Sequence, residues 1–247
     1  MGMNLPLSRA VAGDLELLEQ CPSTNTELVR RALAGEAADF AVLATTNQTA
    51  GKGRLGRTWT APPGKTIAVS VLVAVPADDR IAWLPLVAGL AMTRAVRSLI
   101  ADHRVTLKWP NDVQVDGLKV SGLLGELVPG VGVVMGAGLN LTMSQEELPT
   151  PVSTSLTLVG ASPDDLVDRA LAAYLGELRN LLAQLSVGAD VRGQVEAECS
   201  SIGRSVRVEL PGGDTLYGTA TAIDEGGRLV VDGRAVAAGD VTHLRYE

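Results

Sequence analysis

The chain has 247 residues, 46% of them apolar, and 21 Lys and Arg against 28 Asp and Glu give it a formal charge of −7. Length and apolar share suffice for a real core, in one large domain or a large and a small one. The charges form no runs, which excludes bulk attraction to nucleic acid or to an anionic membrane, so any bound anion must meet a local basic site.

In chain order, "MGMNLPLSRA" lacks a basic stretch followed by an unbroken apolar run, and no signal peptide is expected. In "STNTELVRRALAGE" Thr24 and Glu27 form a T-x-x-E capping box, Leu28, Val29, Ala32 and Leu33 follow at helical spacing, and Gly35 supplies a stop. A helix is predicted to begin just after Ser23. Residues 40–46, "FAVLATT", and 66–75, "TIAVSVLVAV", read as buried strands, and a helix is expected from about Leu84 onward. From Val105 the pattern becomes an antiparallel meander with turns at Asp116-Gly117 and Pro129-Gly130. The uncharged run 127–145 is broken by Pro129 and by glycines and reads as strands, not as a membrane span.

A polar loop, 142–157, follows, and then Ser162 is expected to cap a helix through about Leu185 with Asp164 and Asp165 in its first turn. After Cys199 short strands alternate with Gly-rich turns, the spacing of a small all-β barrel of about fifty residues. The boundary is placed near Ser200, giving domains 1–199 and 200–247. Cys21, Cys199, His103 and His243 have no zinc-ligand spacing, and the cysteine usage fits a reducing cytoplasm.

The segment "GKGRLGRTW", residues 51–59, matches two phosphate-binding templates at once: G-x-G-x-x-G through Gly51, Gly53 and Gly56, and a P-loop with Arg57 in place of Lys. Both need a helix opening at the last glycine. The two prolines of "TWTAPPGKT" forbid an ordinary helix there, so neither nucleotide fold is expected. What remains is a loop between buried strands carrying Lys52, Arg54 and Arg57. It is either a solvated basic turn or a flexible anion clamp in which glycines admit close backbone approach and Arg supplies a bidentate fork.

Five segments in this order, "STN" (23–25), "TNQTAGKGRLGRTW" (46–59), "KWPNDV" (108–113), "LKVSGLLGE" (118–126) and "GAGLNL" (136–141), together resemble biotin protein ligases over most of the chain. The resemblance implies an α+β architecture: a mixed-sheet catalytic domain related to class II aminoacyl-tRNA synthetases, joined to a C-terminal SH3-like β barrel. It also implies a cytoplasmic enzyme, monomer or homodimer, that activates biotin with ATP and Mg²⁺ as biotinyl-5'-AMP. The biotin then passes to a lysine of a biotin carboxyl carrier protein.

By the same resemblance Lys119 is the central catalytic residue, stabilising charge at the α-phosphate. Arg54 contacts the carboxylate and then the adenylate, and Gly51, Lys52, Gly53 and Arg57 belong to a loop that wraps the ligand and orders when filled. Ser23, Thr24, Asn25 and Gln48 match positions that hydrogen-bond the ureido ring, with helix capping as the competing role. Gly122 leaves room for the ligand. Asn111, Asp112 and Asn140 match the nucleotide side, where Asp112 assists Mg²⁺ or orients the incoming lysine, although the metal ligands themselves are not legible. Trp59 and Trp109 are each either pocket wall or core.

The chain departs from the family pattern at Lys52 (usually Arg), Pro22 (often Asp) and Ser121 (often Ala). Lys52 keeps the charge and loses the fork. About twenty residues precede "STN", too few for a DNA-reading domain, so no operator binding is expected. The rival readings are a lipoate or octanoate ligase of the same fold and a non-catalytic biotin-binding module.

Overall fold

The computed structural model describes residues 3–74, 79–210, 212–237 and 239–244. The chain opens with α1 (Pro6–Val11), β1 (Leu15–Leu18), α2 (Thr24–Leu33) and β2 (Val42–Thr45). The glycine segment forms a tiny hairpin, β3 (Gly51–Lys52) and β4 (Thr58–Trp59), around a single 3-10 turn at Arg54–Gly56, so no helix follows the last glycine. Then come β5 (Thr66–Val73), α3 (Leu84–Leu99), β6 (Val105–Lys108), β7 (Asp112–Val115), β8 (Leu118–Val128) and β9 (Gly132–Asn140). Val75, where the sequence places the end of β5, lies outside the described residues. After α4 (Leu166–Ser186) and α5 (Val191–Glu198), the terminal domain contributes β10 (Ser205–Glu209), β11 (Thr215–Ile223), β12 (Leu229–Val231), β13 (Arg234–Val236) and β14 (Asp240–His243).

Seven strands form one mixed sheet in the order β1-β2-β5-β9-β8-β7-β6, in which only β1 and β2 run parallel. The terminal five strands form a separate antiparallel sheet, β13-β12-β11-β10-β14. The fold is therefore α+β with an all-antiparallel terminal domain.

Alternation along the buried strands assigns the two faces of the large sheet. Ile67, Val69, Val71 and Val73 of β5 join the main core with α3 and α4, while Leu72 joins Leu28, Ala32 and Val134 in a second cluster beneath α2. Each fully buried Val or Leu contributes about 1.5–3 kcal/mol. On the α2 face, register sets three cross-strand rows: Ala68, Gly138 and Gly122; then Ser70, Gly136 and Leu124; then Leu72, Val134 and Glu126. Small residues in the first two rows leave a hollow that the larger third row closes at one end.

Three helix readings need correction. Ser23, not Thr24, caps α2, accepting from the Thr26 amide at 3.4 Å, and Glu27 turns outward to Arg30 and Arg31. The cap thus sits one residue earlier than the T-x-x-E reading and frees Thr24 for the hollow. The long helix starts at Leu166, after Asp164 and Asp165, because Ser162 closes a local turn with Asp164 and Asp165 adopts a left-handed conformation at φ 47°. Its first-turn acid is Asp168, which accepts from the Leu7 and Ser8 amides at 2.9 and 2.8 Å and so anchors α1. The third difference is the presence of α1 and α5, which the sequence pattern does not mark, together with the short strand β1.

The terminal domain is pinned to the large one by two buried indoles. Trp83 Nε1 donates to the Glu225 carbonyl at 2.7 Å and Trp109 Nε1 to the Gly227 carbonyl at 3.1 Å, both in the β11–β12 turn. Trp109 is core, not pocket wall. Ser201 Oγ accepts from the Trp109 amide at 3.2 Å and lies 3.1 Å from His243 Nε2. Burial, with Lys108 and Arg204 nearby, pushes the His243 imidazole down to about 4, against about 6.5 in an unfolded chain. A depressed folded value means the neutral ring stabilises the fold above about pH 6.5 and that this contribution is lost as pH falls toward 4. Replacing His243 with Gln is therefore expected to narrow the Tm gap to the parent as pH drops from about 7.5 to 4.5. A gap that stays constant in a thermal-melt series would contradict the linkage.

Candidate active site

The hollow on the α2 face is a cavity of about 160 Å³, bounded by α2, the glycine hairpin, β5, β7, β8, β9 and one residue of the terminal domain. Its floor is made by absence of side chains. A Cβ on Gly138 would stand 2.7 Å from the Trp59 indole, and one on Gly136 would collide with the Asn25 carboxamide. Trp59 is thus cavity wall, seated against the sheet because the first row has no bulk.

One end of the cavity is neutral and polar. Ser23, Thr24 and Asn25, at the start of α2, line it together with Gln48, whose Oε1 accepts from the Thr24 amide at 2.9 Å and its hydroxyl at 3.2 Å. Helix capping and cavity lining are shared out here: Ser23 does the capping, and Thr24 and Asn25 point into the sheet.

The other end is cationic, and each cation has a partner. Lys119 Nζ lies 2.6 Å from Asp112 Oδ1. Arg54 donates to Asn111 Oδ1 at 3.1 Å and to the Gly239 carbonyl at 3.3 Å. Arg57 pairs with Asp240 of β14, whereas Lys52 stands 3.9 Å from Glu126, the carboxylate that accepts from Asn25 at the α2 end. Burial is the main influence on Arg54, pulling its guanidinium below its ordinary value, with Asp240 and Asp112 partly offsetting it. Lys108, just outside the cavity, is likewise lowered, first by burial and then by Lys119 against the opposing pull of Asp112.

Gly53 and Gly122 also line the cavity, so apart from Trp109, which is core, the structure brings together every candidate site residue from the sequence except Gly51 and Asn140. Gly51 lies behind the wall, where a Cβ would meet the Trp59 carbonyl at 2.5 Å and crowd Gln48. Asn140 is buried and donates to the Thr154 carbonyl at 2.9 Å, holding the 142–157 loop instead of facing the cavity. That loop also pairs with the backbone of Lys119, which donates to Val152 and accepts from Thr154, each at 2.8 Å. Ser121 is fully buried and donates to the Gly138 carbonyl at 2.7 Å. Sequence reasoning missed Gly136 and Gly138, although their i, i+2 spacing in a strand signalled one bare face. It also missed Asp240, which no local signal marks.

Residues 17–140 match the Biotin/lipoate A/B protein ligase family, and residues 201–244 match the Biotin protein ligase C terminal domain. The chain is 42% identical to the biotin--[acetyl-CoA-carboxylase] ligase of Mycobacterium tuberculosis, over 94% of this chain and 89% of that protein. It is 31% identical to the bifunctional ligase/repressor BirA of Escherichia coli, over 92% of this chain and 71% of that protein. Among solved structures, the biotin protein ligase from Aquifex aeolicus in complex with biotin and ATP aligns with a TM-score of 0.79 at 25% identity, covering 94% of this chain and 99% of that one. Fold and site thus define a ligase, and the chain belongs to the biotin protein ligase family.

Because Trp83 and Trp109 are buried at 8% and 2% exposure, Trp59 dominates any change in tryptophan accessibility. A Gly138→Ala substitution is expected to push the Trp59 indole off the sheet, increasing acrylamide quenching and red-shifting emission. Unchanged quenching would show that the indole does not depend on the bare floor.

Proposed function

We propose that the protein is an ATP-dependent biotin–[acetyl-CoA-carboxylase] ligase, with residues 1–199 as ligase domain and 200–247 as terminal domain. The observation that carries this reading is the polarity of one cavity: a hydrogen-bonding end under α2, and another where Lys119, Arg54 and Arg57 stand with Asp112, Asn111 and Asp240. A molecule with an amide-like head and an anionic tail fits that gradient, and a second anion can be held beside the tail.

In the first step a biotin carboxylate oxygen attacks the α-phosphorus of ATP, the bond to the β-phosphate oxygen breaks, and pyrophosphate leaves. Two anions must approach, so cations on both sides lower the barrier by offsetting their repulsion and the charge gathered in the transition state. Lys119 serves the α-phosphate and Arg54 the carboxylate, each leaving its present partner to do so. In the second step the amine of a carrier lysine attacks the acyl carbonyl and AMP leaves. Asp112, released from Lys119, is the carboxylate placed to orient that amine and take up its proton.

Mg²⁺ would supply charge neutralisation on the triphosphate. Among the described residues no three His, Cys, Asp or Glu side chains converge on one point. The ion is therefore expected to arrive with the nucleotide, Asp112 being its candidate protein ligand. The carrier is the biotin carboxyl carrier domain of a biotin-dependent carboxylase. Among the described residues no helix is long and apolar enough to cross a membrane. Lipoate or octanoate is disfavoured at the neutral end, because a dithiolane or alkyl chain would leave the polar groups of Thr24, Asn25 and Gln48 without ligand partners.

Pyrophosphate exchange into ATP, run with biotin, lipoate and octanoate in parallel, tests the reading. Exchange is expected with biotin alone. Lys119→Ala should lower it about a hundredfold or more while biotin affinity stays within a few-fold, because the lost contact belongs to the transition state. Undiminished exchange in that variant would remove Lys119 from its role, and binding without exchange in the parent would favour a non-catalytic module.

A further inference from the structure

All eight residues of β5 are buried, and after Thr66 at its start only Ser70 carries a polar side chain. A hydroxyl at 0% exposure is costly there unless it is hydrogen-bonded. Its partners are the two cavity side chains at the start of α2: Thr24 Oγ1 at 2.7 Å and Asn25 Oδ1 at 2.6 Å. The Asn25 oxygen can only accept, so when the single Ser70 proton goes to it the Thr24 hydroxyl turns its own proton to Ser70 and gives up its longer 3.2 Å contact with Gln48, which still accepts from the Thr24 amide at 2.9 Å.

The other end of the Asn25 carboxamide is held as firmly. Nδ2 donates to the Leu124 carbonyl at 3.2 Å and to Glu126 Oε1 at 3.0 Å. A carbonyl and a carboxylate both lack protons, so the amide has one orientation and both of its N–H groups are used. What remains for the cavity is the second lone pair of Oδ1. The three cross-strand rows explain why this clamp is possible. Ser70 and Gly136 are direct neighbours in the second row, bare Gly136 lets Asn25 lie against the sheet, and Glu126 projects from the third row. The other oxygen of Glu126 faces Lys52 Nζ at 3.9 Å, so the same carboxylate also contacts the glycine hairpin.

We propose that Ser70 and Glu126 are positioning residues for ligand recognition: they clamp the Asn25 carboxamide from both ends so that it presents only an acceptor to the cavity, which selects a ligand head bearing an N–H donor. This rests on the biotin reading, under which the donor is a urea N–H. An analogue methylated at the urea nitrogen that meets Asn25 loses that bond and clashes with the oxygen.

The test is steady-state kinetics of biotin-dependent pyrophosphate exchange in Ser70→Ala, Ser70→Cys, Asn25→Asp, Glu126→Gln and the Asn25→Asp/Glu126→Gln double variant. Ser70→Ala is expected to raise the biotin KM about tenfold with kcat within about twofold and the ATP KM unchanged. Ser70→Cys, similar in size with a weaker donor, falls between and reports in case the alanine variant does not fold. Asn25→Asp sets a carboxylate against Glu126 and the Leu124 carbonyl and is expected to raise the biotin KM about a hundredfold. Adding Glu126→Gln supplies an N–H to that carboxylate and should recover about tenfold or more, an outcome that a merely structural role would not give. Discrimination against the N-methyl analogue should shrink in Ser70→Ala. An unaltered biotin KM in both Ser70 variants, or no recovery in the double variant, would overturn the proposal while leaving the ligase reading intact. A parent protein that shows no exchange with biotin would overturn both.

Discussion

Four positive charges crowded around one half-buried cavity must be neutralised, and the rest of the structure follows from how that is done. Opposite unit charges 4 Å apart interact by about 4 kcal/mol at the effective dielectric of a protein surface, so partners matter most for the more buried Lys119 and Arg54, while solvent also screens the exposed Arg57 and Lys52. Lys119 has Asp112, Arg54 has Asn111 and a backbone carbonyl, Arg57 has Asp240, and Lys52 has Glu126. The partners come from three places, the start of β7 (Asn111 and Asp112), β8 (Glu126) and the start of β14 in the terminal domain (Gly239 and Asp240). The small domain is thus part of the electrostatics of the site, held in place by the Trp83 and Trp109 indoles some distance away. An anion entering the cavity competes with partners already there, carboxylates for Lys119, Arg57 and Lys52 and neutral oxygens for Arg54, so binding becomes an exchange of partners and not a capture by bare cations.

The second constraint is steric. A seven-stranded sheet covered by helices would ordinarily be filled by side chains on both faces. Here Ala68, Gly138 and Gly122 leave one row nearly bare and Gly136 opens the middle of the next, and Trp59 and Asn25 lie down into the space. The same register that hollows the floor puts Ser70 and Glu126 at its margin. Recognition at one end and charge at the other are therefore products of one hydrogen-bond ladder.

Much of this was legible in the sequence, for identifiable reasons. The meander from β6 to β9 followed from Asp-Gly and Pro-Gly turns between apolar runs, and α3 from its long apolar period. The absence of a helix after Gly56 followed from two prolines. The cap of α2 was misplaced because a Ser, a Thr and an Asn in succession all satisfy cap chemistry, and only tertiary contact with Gln48 and Ser70 decides which side chain turns inward. The start of α4 was misplaced because two acids before a helix look like a first turn whether or not they are in it. At the site, the basic hairpin and Lys119 were visible through their motifs. Asp240 was not, because a strand acid more than a hundred residues from its partner carries no local pattern. Asn140 reads as a ligand contact from its motif, and one of its N–H groups is given to the Thr154 carbonyl.

The central claim is that the cavity's cations are held on protein partners and pass to the anions of the ligand. A crystal structure with a non-hydrolysable biotinyl-adenylate analogue tests it most directly. The account expects Lys119 to leave Asp112 for the phosphate oxygens and Arg54 to leave the Asn111 and Gly239 oxygens, with the head group under α2 against Asn25. An analogue seated in the cavity with the Lys119–Asp112 and Arg54–Asn111 pairs both intact would contradict it.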